Sequence, residues 1–95
     1  MKIYTGYKWT DYSNKLLIQE IDKCDLIRIL KNDCILEIEY MPSESKYNII
    51  VYCSSDINHY TSFRWKRLKS VPVKDGTVSQ IIKICKSFTK FSEIR

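Results

Sequence analysis

Fourteen isoleucines and no alanine stand in this chain of 95 residues. β-Branched side chains are stiff at χ1 and fit the pleated, half-buried surface of a sheet. A helix without alanine lacks the best helix former and must rest on burial of an apolar face. The expectation is therefore a sheet-rich domain with few helices. The length corresponds to one domain, 1–95. The hydrophobic fraction of 44% and charged fraction of 28% lie in the globular range, far from the disordered signature.

The clearest strand is Cys34–Tyr40. Cys34, Leu36, Ile38 and Tyr40 share one face, and Glu37 and Glu39 the other. Met41-Pro42-Ser43-Glu44-Ser45 breaks it, and Tyr47–Cys53 follows as its hairpin partner. After a loop at 54–59, Thr61–Lys69 reads as a third strand, with Phe63 and Trp65 on one side and Arg64 and Lys66 on the other. The C-terminal helix is expected over about 77–91. Thr77 and Gln80 form a capping-box pattern, and Val78, Ile81, Ile82, Cys85, Phe88 and Phe91 make one apolar stripe. In the first third, residues 1–9 hold a strand and Ser13 caps a short helix over 14–21. Leu26–Leu30 pairs with 34–40 through a turn at Asn32-Asp33, a helix at 23–31 being the alternative. The fold expected is α+β: a mostly antiparallel sheet of about four or five strands with the C-terminal helix packed on one face.

No apolar run approaches the ~18 residues of a membrane span. The N-terminus lacks an apolar signal region, so a cytoplasmic protein with no membrane contact is expected. In that compartment Cys24, Cys34, Cys53 and Cys85 are expected as reduced thiols, those among Leu and Ile acting as small buried hydrophobes. Their spacing matches no zinc module, and both glycines are isolated, so no phosphate-cradling loop is formed. No metal and no cofactor are expected. His59 is the only histidine. A ribonuclease built on His59 with Arg64 and Lys66, or a nucleophile drawn from Cys53, Ser54, Ser55 and Asp56, lacks any supporting motif, and the chain is expected not to be an enzyme.

Charge is divided along the chain. Residues 16–45 carry three basic and seven acidic groups, whereas 46–95 carry ten basic and three acidic. Either Glu37 and Glu39 pair across strands with Arg64 and Lys66, or the basic half is a surface for an acidic partner.

Two sets of binding residues emerge. Tyr7, Trp9 and Tyr12, with Tyr4 nearby, bring the large, low-entropy area found at interface hot spots, and Glu37 and Glu39 add charge. These five, Tyr7, Trp9, Tyr12, Glu37 and Glu39, are the expected contacts to a protein partner. The second set suits a nucleic acid: Arg64, Trp65, Lys66, Arg67 and Lys69 interleave cations with a ring, and Lys83, Lys86 and Lys90 form a helix stripe. The plainer interpretation leaves Phe63 and Trp65 in the core, Arg64 and Lys66 as a solvated strand face, and Lys83, Lys86 and Lys90 as a wet helix face. The leading expectation is a non-catalytic protein-binding module, most readily an inhibitor of the toxin-immunity or phage and mobile-element anti-defence type. A small basic nucleic-acid-binding protein using the 62–70 strand is the alternative. An exposed strand edge would allow either a monomer or a dimer.

Overall fold

A computed structural model describes residues 1–53 and 65–94 of the chain. The fold is α+β. Its strands are β1 (Lys2–Thr5), β2 (Lys8–Asp11), β3 (Leu26–Lys31), β4 (Cys34–Met41), β5 (Lys46–Cys53) and β6 (Trp65–Pro72). Helix α1 (Asn14–Lys23) follows β2, and α2 (Thr77–Ser87) follows β6. The strands form one antiparallel sheet in the order β2-β1-β3-β4-β5-β6. No helix among the described residues is long and apolar enough to cross a membrane.

Side-chain alternation makes the two faces of this sheet unlike. Ile3, Ile27, Ile29, Leu36, Ile38 and Ile49 point to one face, where they form a single cluster with Leu17 of α1 and with Ile81 and Cys85 of α2. Both helices cover that face. Among the described residues the other face carries no helix.

The sheet has one strand more than expected, because the first twelve residues make a hairpin rather than a single strand. Gly6, at φ +63°, lets the chain reverse between β1 and β2. Lys2 and Asp11 form an ion pair at the open end of this hairpin, and the Lys2 ammonium holds the Asp11 carboxyl below its usual range. The Ser13 cap holds: its Oγ accepts from the Leu16 N–H at 3.1 Å. The β3–β4 hairpin also forms as expected. Asn32 and Asp33 both take positive φ, 51° and 60°, as a two-residue turn of the right twist requires.

At α2 two expectations are corrected. Thr77 is not the cap; Gly76 occupies that position at φ +84°. The Thr77 hydroxyl is buried and turned back into the preceding turn, accepting from the Lys74 N–H at 2.7 Å and facing the carbonyls of Pro72 (3.0 Å) and Lys74 (2.6 Å). The helix also stops at Ser87 rather than near 91. Phe88 turns extended (φ −62°, ψ 132°) and inserts its ring into the core. The Lys31 ammonium accounts for the stop, donating to the carbonyls of Cys85 (2.9 Å) and Lys86. A cation there satisfies the last carbonyls and complements the negative end of the helix dipole. Asn32 adds a bond from Nδ2 to the Thr89 carbonyl at 2.9 Å.

Asp33 is exposed and sits in the left-handed region, which costs a residue with a Cβ about 1–2 kcal/mol, less for Asp. Asp33→Gly should therefore stabilise the fold by roughly 0.5–1 kcal/mol, while Asp33→Val should destabilise it by ~1 kcal/mol or more. Urea titrations of the three proteins check both signs.

Candidate protein-binding face

The uncovered face is built from the strand positions that alternate with the core. On β1 and β2 these are Tyr4 and Trp9, register partners whose rings meet edge to face with centroids 5.4 Å apart. On β3 they include Leu26 and Arg28, and on β4 Glu37 and Glu39. On β5 they include Ile50 and Tyr52, partnered on β6 by Arg67 and Trp65.

A β-bulge decides what β6 contributes. Val71 is buried against the helices. In an uninterrupted strand Lys69, Arg67 and Trp65 would share its face, because side chains alternate with a period of two. The register instead pairs Ile49 with Lys69 and Ile50 with Arg67, leaving Leu68 as the extra residue. The bulge shifts the phase by one and sends Arg67 and Trp65 to the open face. Trp65 is consequently 56% exposed, which corrects the placement of this ring in the core. Lys66 moves the other way. It donates to the Ile94 carbonyl at 2.8 Å, and its ammonium lies 4.8 Å from the Phe91 ring centroid. Lys66 fastens the C-terminal segment to the sheet.

The electrostatics of the open face are set at its middle. Arg28 Nε donates to Glu37 Oε2 at 3.2 Å across β3 and β4, and the Glu37 side chain is only 16% exposed. Glu37 thus pairs within the acidic third of the chain. Strand β5 separates β4 from β6, so the cross-strand pairing of Glu37 and Glu39 with Lys66 does not form. The Tyr52 phenol is pushed above its ordinary range, first by burial and then by the nearby carboxylates of Glu37 and Glu39. Asn48 and Ser70 complete this side of the sheet with a side-chain hydrogen bond of 2.8 Å.

The expected partner-binding residues divide accordingly. Trp9, Glu37 and Glu39 share the open face. Tyr7 stands at the tip of the β1–β2 hairpin, 96% exposed. Tyr12 packs against the core, and its hydroxyl donates to Asn14 Oδ1 at 2.8 Å. Leu26, Arg28, Tyr52 and Ile50 join the face without having been singled out; alternation within their strands is the signal that would have found them. The nucleic-acid set divides as well. Trp65 and Arg67 lie on the open face, Lys66 on the helix side, Lys83 on α2, and Lys69 and Lys90 beside that helix. Lys86 is exposed at the end of α2. Arg64, with Phe63, His59 and the serines beside it, lies outside the described residues.

Among the cysteines, Cys34 and Cys85 are buried, and burial pushes the Cys85 thiol up to about 12, leaving it protonated and unreactive. Cys24 is exposed rather than buried. It ends α1 with its thiol facing Glu20 Oε2 at 3.4 Å, and that carboxylate raises its pKa. Among the described residues no group of three or more His, Cys, Asp or Glu side chains is placed to hold a metal ion. Comparison with protein-family models, with curated proteins and with solved structures finds no match.

The division of β6 has a measurable consequence. Trp65→Ala and Arg67→Ala should each change stability by less than ~0.5 kcal/mol, as surface substitutions do. Lys66→Ala should cost roughly 1–2 kcal/mol, because it removes a charge-assisted hydrogen bond and a cation–π contact. Thermal melts of the three variants read this order directly.

Proposed function

We propose that this chain is a non-catalytic protein-binding module that docks its open sheet face on a partner protein and inhibits it by covering a working surface. The inhibitor expected from the sequence, of the toxin-immunity or anti-defence type, would act in this manner. The observation that carries the proposal is the composition of the face. Tyr4 and Trp9 stand toward one edge and Trp65 and Arg67 at the other, on either side of the Arg28–Glu37 pair. Trp, Tyr and Arg are the residues that dominate interface energies. Here they sit on rigid strands, so little conformational freedom is lost when a partner arrives. The bulge at Leu68 strengthens the case, since it presents a large ring to solvent that a regular strand would have buried. The acidic middle of the face favours a partner with a cationic group opposite Glu39.

One observation supports a second use. Trp65, Tyr52 and Arg67 form a ring-and-cation platform of the kind on which unpaired bases stack. Glu37 and Glu39, one strand further in, would repel the phosphates, and the protein-binding role is preferred for that reason.

Affinity capture with cross-linking from cells of the native host tests the proposal. The wild-type chain should recover one stoichiometric protein. The triple variant Trp9→Ala/Trp65→Ala/Arg67→Ala should lose it by more than ~10-fold, each hot spot being worth about 2 kcal/mol, while remaining folded. Undiminished recovery by the triple variant would remove the open face from the interface. Anisotropy with short DNA and RNA across a salt series separates the second use: it requires affinity that falls linearly on a log–log plot and is lost with Trp65→Ala.

A further inference from the structure

We propose that the groove between β6 and α2, on the helix side of the sheet, binds an extended acidic segment of a partner protein. The groove is a separate feature from the open face and does not depend on it. Its floor is apolar, made by Leu68, Ile84, Phe88 and Ile94. Its rim carries Lys69 and Lys83, and no acidic residue occurs among the described lining residues. Lys69, Ile84 and Ser87 line both of its ends. Ser79 and Gln80 add hydrogen-bonding groups beside Lys83.

The bulge at Leu68 creates this arrangement. It turns Leu68 and Lys69 to the same side, where one packs on the core and the other lines the groove. The lysines belong to the strongly basic part of the chain, residues 46–95, with ten basic and three acidic groups. A negatively charged ligand is the complement.

Three features favour a peptide over a nucleic acid. First, the groove offers no open ring for stacking among the described residues: Phe88 is 5% exposed, and the Lys66 ammonium covers Phe91. The exposed rings Trp65, Trp9 and Tyr4 lie on the other face. Second, β6 is the outermost strand, with no neighbour on its far side among the described residues, so its edge can hydrogen-bond an extended backbone. Third, an extended peptide alternates its side chains with a period of two. It can drop apolar groups onto the floor and turn carboxylates to the rim.

The test uses the full chain and three fluorescein-labelled probes: a short peptide alternating leucine and glutamate, the same peptide with lysine for glutamate, and a short oligothymidylate. Anisotropy at low salt should show the acidic peptide binding at least ~10-fold more tightly than the lysine peptide, with the difference shrinking as salt screens the lysines. Lys69→Glu/Lys83→Glu should weaken that binding by ~10-fold or more, Lys69→Arg/Lys83→Arg should keep it, and Trp65→Ala/Arg67→Ala should leave it unchanged. Amide shift changes in the wild-type chain should fall on residues 66–70 and 79–90. The proposal is overturned if the two peptides bind alike, if the oligonucleotide displaces the acidic peptide, or if the shifts fall on the open face. The shift map uses only the unaltered protein, so it decides the matter even if the charge-reversed variant fails to fold.

Discussion

Everything in this fold depends on the segregation of aliphatic side chains to one face of the sheet. Helices α1 and α2 contain no alanine, and α1 buries only Leu17 completely. Neither has the propensity or the length to persist alone. Their stability comes from docking on the layer of Ile, Leu and Val that the strands present together. A few polar contacts then fix where the helices end: Ser13 at the start of α1, Lys31 and Asn32 at the end of α2, and Lys66 on the segment beyond.

Because one face absorbs the helices, the other keeps its strand side chains available for the recognition role proposed above. Its residues divide by physical role. Arg28 and Glu37 satisfy each other in the middle, while the outer strands carry rings that little covers. The bulge at Leu68 joins the two sides of the molecule. A single extra residue puts Trp65 and Arg67 on one face and Lys69 beside α2 on the other. One local irregularity thus serves both the open face and the basic groove.

Much of this was legible in the sequence, and the failures have physical causes. Cys34–Tyr40 alternates without interruption because its strand lies inside the sheet with one face sealed. Asn32-Asp33 announced its turn because both residues tolerate positive φ. Gly6 can reverse the chain, but the short strands around it have too few positions for alternation to separate a hairpin from a single strand. Thr77-Val78-Ser79-Gln80 matched a capping box, yet Gly76 met the cap's backbone requirement and freed Thr77 to bond elsewhere. The phase of β6 was unreadable for a different reason: nothing in Trp65-Lys66-Arg67-Leu68-Lys69 marks where an extra residue enters the ladder. The candidate face was seen only in part, since Trp9 and the two glutamates were visible as types while their union with Trp65 and Arg67 depends on strand order.

The anchoring of α2 also bears on how the molecule assembles. Lys31 and Asn32 grip carbonyls 54, 55 and 57 positions further along the chain, so the turn between β3 and β4 receives its partners only after every strand has been made. Pairings of such long separation form late and slow a domain's folding. During synthesis the growing sheet therefore holds part of its aliphatic layer open to solvent until α2 emerges. That interval is the time at which the nascent chain is most exposed to self-association, and Lys66 and Lys69 on the outer strand are the charges that discourage it.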